Sequence, residues 1–376
     1  MRISIVQPRV SYYIGGSEKV CMMHAELLSR LNNKVVLYTI QPIDGVYSAQ
    51  YKTFIQNNPT IKIIEMTIPD AYRYIYDEVP ESNQSRWDRE TILFSVLIHS
   101  KLRDELPDIV LSYYIVDSVF RNLDIPNAVY LGGHPENEIE IYNAFLSFCD
   151  ATISNSENVK KRWQQKIDRN KVPLNYVIQK GAEKPAILNR VLPEGVNIVF
   201  AGRLISGKGV ENLICSFASI KKGFPEASLW ILGDGPEKEN LAKLAAVAGV
   251  EDSVHFKGFV ENVQDYLYSS TLCVFPSVYK EGLMTVVVEA MAVGACIVAS
   301  EGMGNEELIM NEVSGILIKP DDIDLLTTTI KGLLLDEGKR KEMGKQADIF
   351  ASNNLSWSSV GKKLNAILEE IVRERN

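Results

Sequence analysis

Apolar residues along this chain alternate between two patterns. Short apolar runs of three to five residues read as strands buried on both faces. Between them lie turns and stretches whose apolar positions recur at helical spacing. In the first half the runs are residues 3–6, 35–38, 61–64, 109–112, 128–131 and 151–154. Helical spacing covers 17–31, with Ser17 as the expected N-cap, and then 90–105, 138–149 and 157–166. Residues 180–194 hold Gly181, Pro185 and Pro193, break this rhythm, and read as a connection between domains. The alternation then restarts, with strands at 197–200, 228–232, 254–257, 272–275, 296–299 and 316–318. Helices at 209–222, 236–248, 285–293, 322–335 and 339–351 separate or follow them, and a last helical stretch starts at Ser356-Trp357 and runs to about 373. Strand–helix alternation of this kind predicts an α/β fold: two doubly wound, Rossmann-like halves with parallel sheets wrapped by helices. Ligands of such sheets bind outside the carboxyl ends of the strands, and two halves facing each other enclose a cleft.

Composition narrows the function. The chain has 376 residues, about two domains' worth at roughly 100–200 residues each. A hydrophobic share of 46% with 23% charged residues excludes a disordered, collagenous or coiled-coil chain. Forty basic residues against 48 acidic ones give a net charge of −8, so no nucleic-acid partner is expected. The cysteines, Cys21, Cys149, Cys215, Cys273 and Cys296, are odd in number, widely spaced and without a Cys-x-x-Cys pair. They read as reduced thiols buried in cores, which implies a cytoplasmic setting and no zinc site. The opening MRISIVQP has no long apolar stretch and makes a poor signal peptide. The most apolar run, 285–299, is interrupted by Glu289 and falls short of the about 20 apolar residues that span a membrane.

Three stretches carry candidate chemistry. Gly15-Gly16-Ser17-Glu18 follows the first strand and opens the first helix, where backbone N–H groups and the helix dipole favour an anion. It is not Gly-x-Gly-x-x-Gly, which argues against a dinucleotide enzyme. FAGRLISGKG, residues 200–209, satisfies Gly-x-x-x-x-Gly-Lys, but Gly209 stands where a P-loop needs Ser or Thr for magnesium. Its Arg203 and Lys208 are two cations at the end of a strand, suited to a diphosphate leaving group. FPSVYKEGLMTVVVEAMAVGACIVAS, residues 275–300, holds Glu281 and, inside an apolar helical segment, Glu289. A carboxylate in such a segment needs a partner, and polyol hydroxyls are suitable donors to it. Backbone N–H groups over Gly282, Leu283 and Met284, at the start of that helix, suit a phosphate.

Taken in order, Gly15-Gly16, ISNSENVK (153–160), QKGAE (179–183), FAGRL…KG (200–209), LGDGP (232–236), FKGFV (256–260), FPS (275–277), KEGLMTVVVEAMAVG (280–294) and SGILIKP (314–320) resemble the retaining glycosyltransferases of sequence family four, which have the GT-B fold. The resemblance spans nearly the whole chain and is densest from Phe200 to Pro320. It implies an N-terminal acceptor domain over residues 1–183 and a C-terminal nucleotide-sugar domain over 184–356, with the helix of 357–376 crossing back to the first. It also implies that Gly15 and Gly16 lie against the donor phosphates and that Arg203 and Lys208 hold the diphosphate. Glu281 would accept from sugar hydroxyls and Glu289 from the ribose. Gly258, Phe259 and Val260 would meet the nucleobase, and the backbone of Gly282, Leu283, Met284 and Thr285 the sugar or phosphate. His134, in VYLGGHPENE, matches the family's histidine facing the reacting centre. The chain departs from the family in Leu283-Met284, where an aromatic residue and glycine are usual, and in Gly181-Ala182-Glu183, where Gly-Val-Asp or Gly-Ile-Asp is common.

The activity so implied is retaining, metal-independent transfer of a hexosyl unit from a nucleotide diphosphate sugar to a saccharide or lipid-linked acceptor in polysaccharide or glycolipid synthesis. A UDP-sugar is favoured over GDP-mannose as donor, and no cofactor is obligatory. Asp322-Ile323-Asp324 has the form of a metal motif, but reads as the acidic start of a helix. The alternatives are a P-loop-like NTPase using Gly202–Lys208 and a sugar-nucleotide binder or epimerase. Lys160, Lys161, Arg162, Lys166, Arg169 and Lys171, with Trp163 among them, form a basic cluster that could meet a lipid-linked acceptor or the membrane surface, or be a solvated helix face.

Overall fold

The computed structural model describes residues 1–72, 83–113, 123–132, 146, 149–166, 174–278, 283–302 and 304–375. They form two compact units, Met1–Gln179 with Ser358–Asn376, and Lys180–Trp357.

The first unit holds the strands β1 (Arg2–Val6), β2 (Lys34–Ile40), β3 (Lys62–Met66), β4 (Ile109–Ser112), β5 (Asn127–Leu131), β6 (Ala151–Ser154) and β7 (Leu174–Val177). All pair in parallel, in the order β3-β2-β1-β4-β5-β6-β7. The central strands are buried at nearly every position, as strands between two helical layers must be. Helices α1 (Gly16–Arg30), α2 (Ala49–Asn57), α3 (Asn83–Glu105) and α4 (Glu157–Lys166) belong to this unit. Phe94, Ile98 and Leu102 of α3 pack on Val6, Tyr38, Ile40 and Val110 of the sheet.

The second unit holds β8 (Asn197–Ala201), β9 (Ser228–Leu232), β10 (Val254–Gly258), β11 (Leu272–Phe275), β12 (Ile297–Ser300) and β13 (Ile316–Ile318). They are again all parallel, in the order β10-β9-β8-β11-β12-β13. Its helices are α5 (Val210–Lys221), α6 (Lys238–Val247), α7 (Val263–Ser269), α8 (Thr285–Ala292), α9 (Ile323–Leu335) and α10 (Glu337–Asn354). Helix α5 packs with α6 and α9, and α8 with α7 and α10. Leu213 and Phe217 of α5 and Val287, Val288 and Met291 of α8 share one core with the strand residues.

The last helix, α11 (Trp357–Arg375), falls almost entirely in the first unit. A Cβ on its Gly361 would stand 2.9 Å from Leu27 Cβ of α1, so the two helices touch closely there. Asn33 Nδ2 donates to Asn365 Oδ1 at 2.7 Å, and Arg375 binds Asp124 at 3.0 Å as well as Asp150.

Five features differ from the sequence reading. Helix α1 starts at Gly16 with Gly15 as N-cap; Ser17 is inside the first turn, and the Glu18 carboxylate takes the Gly15 N–H at 3.0 Å. Residues 180–194 are no free connection, because Asn189 N–H donates to Asp265 and Val191 N–H to Ser269, pinning the segment to α7. Strand β7 and helix α2 had no clear apolar signal. Asn175 interrupts β7, and α2 buries only Tyr51 and Phe54. Cys215 is exposed, whereas the other four free cysteines are buried. Trp163 is buried among Val129, Leu131, Leu146, Cys149 and Val159, so it is absent from any basic surface. Lys160 there pairs with Glu157 and Arg162 with Asn158. Among the described residues no helix is long and apolar enough to cross a membrane.

Candidate active site

In the second unit the chain leaves β8 towards β9 on one side and β11 towards β12 on the other. The crevice of a doubly wound sheet opens at such a reversal, beyond the carboxyl ends of the two strands. Two loops flank it. The one after β8 carries Arg203 and Lys208, and the one after β11 leads through Pro276, Ser277 and Val278 to α8. They are bonded together: Gly207 O accepts from Val278 N–H at 2.8 Å and from Ser277 Oγ at 3.1 Å. Gly209 caps α5 with a left-handed backbone, φ 70°, and a Cβ there would stand 1.9 Å from Pro276 O. No other residue fits that crossing.

Arg203 is exposed and makes no hydrogen bond or ion pair among the described residues. The nearby acid Asp234 is engaged elsewhere. The Gly235 N–H at 2.8 Å and Lys238 at 3.2 Å hold its carboxyl below the usual range. Lys208 is partly buried, one residue before the α5 cap. Part of the loop's backbone is committed within the protein. Its Gly202, Leu204 and Lys208 N–H groups donate to the Leu232, Asp234 and Ile205 carbonyls.

Helix α8 starts without a side-chain cap. Met284 has φ −77°, open to any residue, and its side chain is buried, where Sδ accepts from Asn305 Nδ2 at 3.6 Å. Leu283 is buried as well, so this pair offers backbone rather than side chains at the helix start. The Thr285 hydroxyl accepts from Lys180 Nζ at 3.2 Å, a contact the sequence did not suggest. Glu289 is partly buried between the fully buried Val288 and Ala290. Farther along the same edge, Gly258 O accepts from Gly233 N–H at 2.8 Å, and the Phe259 ring is 80% exposed. The loops after β10, β9, β8 and β11 therefore form one hydrogen-bonded rim, with Phe259 at one end and the α8 start beyond the other.

The first unit has its own polar centre beside Gly15-Gly16. Buried Glu18 accepts from Gly15 N–H and from Gln7 Nε2, both at 3.0 Å, and Gln7 Oε1 takes the Arg9 N–H at 3.0 Å. A Cβ on Gly15 would meet Glu18 Oε2 at 2.8 Å, while one on Gly16 meets nothing within 4 Å. Arg9 and Glu90, both fully buried, pair at 3.5 Å, and the Tyr12 hydroxyl donates to Glu90 at 2.5 Å. His24 Nδ1 bonds the Tyr113 hydroxyl at 2.6 Å; burial lowers this histidine to about 3 and raises the tyrosine well above its ordinary value.

Residues 190–349 match the family described as glycosyl transferases group 1. An uncharacterized glycosyltransferase of Haemophilus influenzae is 33% identical over 196 residues, 50% of this chain and 52% of that one. A GDP-mannose-dependent alpha-(1-6)-phosphatidylinositol monomannoside mannosyltransferase of Mycolicibacterium smegmatis is 28% identical over 179 residues, 46% of this chain and 47% of that one. The chain thus spans about half the length of these curated relatives. The crystal structure of Anabaena HepE in complex with UDP superposes with a TM-score of 0.78 at 18% identity, covering 98% of this chain and 100% of that one. The fold is GT-B.

Within the second unit the structure brings Arg203, Lys208, Leu283, Met284 and Thr285 to the loops around one strand reversal, and Gly258, Phe259 and Val260 to the far end of the same rim. Glu281, Gly282 and His134 lie outside the described residues. Gly15 and Gly16 belong to the other unit. Asp322 is the N-cap of α9, accepting from Leu325 N–H at 2.8 Å, and Asp324 lies in the first turn of that helix. Sequence reasoning missed Lys180, Gln7, Arg9 and Glu90. For the last three the only signal was charge and amide among apolar neighbours.

Proposed function

We propose that the protein is a retaining glycosyltransferase that moves a hexosyl unit from a nucleotide diphosphate sugar, a UDP-sugar by preference, to a saccharide or lipid-linked acceptor. The observation that carries this reading is the Arg203–Lys208 loop at the β8/β11 reversal, with Arg203 free of any carboxylate among the described residues. Breaking the sugar–phosphate bond leaves a diphosphate anion, and preorganised cations stabilise it as charge develops. The departing phosphate takes the acceptor's proton in a front-face attack, so no protein nucleophile is required. In this reading the two cations, with the helix start at Leu283-Met284, do the work that a metal does elsewhere. Glu281 and Glu289 hold hydroxyls of sugar and ribose, and His134 faces the reacting centre. Phe259 and the backbone of Gly258 and Val260 receive the base, while Gly15 and Gly16 serve the donor phosphates.

The UDP complex of Anabaena HepE supports the donor class. The GDP-mannose dependence of the mycolicibacterial relative supports a second donor, read by the same diphosphate loop. Reaction in the cytoplasm, at most peripheral to a membrane, completes the proposal. Titration of the protein with UDP, GDP and UMP tests it. Arg203→Ala and Lys208→Ala should each weaken the diphosphate of the preferred base about tenfold, the loss of one charge-assisted contact of roughly 1.5 kcal/mol. The monophosphate should respond less, and transfer should survive EDTA. Unchanged diphosphate affinity in both variants refutes the site.

A further inference from the structure

We infer that Trp230, His255, Lys257 and Lys221, at the β10 edge of the second unit, form a docking surface for an acidic saccharide chain. The inference rests on reading the protein as a glycosyltransferase, whose acceptor and product are saccharides. Strand β10 lies at the edge of its sheet, with β9 as its one neighbouring strand. His255 stands opposite Trp230 in that register, and the two ring centroids are 4.3 Å apart at an interplanar angle of 38°. Lys257 is exposed, and its ammonium is 5.8 Å from the centre of the Trp230 ring. The indole N–H donates at 2.8 Å to Oδ1 of Asn197, the first residue of β8. The ring thus reaches toward the amino ends of the strands, away from the loops that carry Arg203 and Lys208.

The charges on this surface are of one sign. Lys221 donates to the Pro225 carbonyl and, at 2.8 Å, to that of Ala227, neutral groups that fix the ammonium without cancelling its charge. His255 and Lys257 make no hydrogen bond or ion pair among the described residues. Glu226, Glu251 and Asp252 are exposed in the segments before β9 and β10, and none of them pairs with these cations. Burial, and then the charges of Lys257 and Lys221, lower the pKa of His255, so at neutral pH its ring is uncharged and offers one N–H donor. An acidic saccharide answers each of these features. Its acid groups supply counter-charge to Lys257 and Lys221 through charge-assisted hydrogen bonds. Its ring C–H groups are weakly positive and suit the electron-rich face of an indole. Trp230 is half-buried, so it offers a face for stacking rather than a side chain to insert into a bilayer. The chain's net charge of −8 disfavours nucleic acid as the polyanion.

Calorimetry on the full chain with a galacturonate hexamer, with maltohexaose and with phosphatidylglycerol vesicles tests the surface. The galacturonate chain should bind and should shift the Trp230 indole N–H resonance. Lys257→Glu should weaken it about tenfold, and Lys257→Arg should keep most of the affinity. Lys345→Glu, on α10, changes the net charge equally and should leave the affinity unaltered. UDP affinity should be that of wild type in all three variants. The inference is overturned if the galacturonate chain does not bind, if maltohexaose binds equally well, if the indole resonance stays in place, or if Lys345→Glu is as damaging as Lys257→Glu. Vesicle binding lost in Lys257→Glu, with no galacturonate binding, assigns the surface to lipid and overturns it as well. If glycan binding fails while Arg203→Ala still weakens UDP, this surface falls and the donor site stands. Glycan binding that persists while Arg203→Ala and Lys208→Ala leave UDP affinity unchanged keeps the surface and removes the donor site.

Discussion

Gly209→Ala tests how the cation loop is held. The residue has φ 70° and its added Cβ would lie 1.9 Å from Pro276 O and 2.8 Å from Pro276 C, both backbone atoms that no rotamer change can remove. Ordinary contact begins near 3.4 Å, so the loop after β8 or the loop after β11 must retreat by more than an ångström. The left-handed conformation costs an alanine about 1 kcal/mol, and forced overpacking adds about 2 kcal/mol. Gly258→Ala is the matched control: it also has a positive φ, 66°, but its Cβ meets nothing within 4 Å, so only the backbone term applies. At about 3 °C per kcal/mol for a unit of this size, Gly209→Ala should melt roughly 9 °C lower and Gly258→Ala roughly 3 °C lower. Differential scanning calorimetry reads both. Gly209→Ala should also weaken UDP more than its stability loss explains, because Lys208 and Val278 move with the loop. Equal melting shifts in the two variants would show that the crossing with Pro276 does not constrain the loop.

Two further predictions concern the first unit. Glu90→Gln removes the carboxylate paired with buried Arg9 and should cost about 3–5 kcal/mol in urea unfolding, whereas the double replacement Arg9→Met/Glu90→Leu should cost much less; a single-variant loss under about 1 kcal/mol would contradict a buried ion pair. His24 is neutral in the folded chain down to about pH 3 but takes a proton near pH 6.5 when unfolded, so its contribution to stability is present above 6.5 and is lost as pH falls towards 3. Between pH 7 and 5 wild type should therefore lose roughly 2 kcal/mol more than His24→Gln, and identical slopes would rule out the buried neutral histidine.

Much of this architecture could be read locally because parallel strands between helical layers are apolar at most positions. The runs at 109–112, 151–154, 228–232 and 272–275 coincide with β4, β6, β9 and β11. Elements at the margins were opaque for the converse reason. Strand β7 and helix α2 bury only part of their surface, so their apolar period is weak. The cation loop was legible because glycine spacing around Arg203 and Lys208 is a local pattern. Lys180 with Thr285, and Arg9 with Glu90, join residues distant in the chain, and no local period records such pairs. Trp163 was misplaced by the same limit: its charged neighbours in sequence are not its neighbours in space.

The charge balance shows why long-range pairing decides the chemistry. A net charge of −8 would by itself disfavour a diphosphate ligand. Three acids of the second unit, however, are already occupied. Asp234 serves the Gly235 N–H and Lys238, Asp265 serves the Asn189 amides, and Asp322 caps α9. Each such bond lowers the acid's capacity to neutralise a neighbouring cation. Arg203 is left unpaired among the described residues by this arrangement, although the chain as a whole is acidic. Anion affinity at the β8/β11 reversal thus depends less on the number of cations than on how completely the nearby carboxylates are engaged by backbone N–H groups and other lysines.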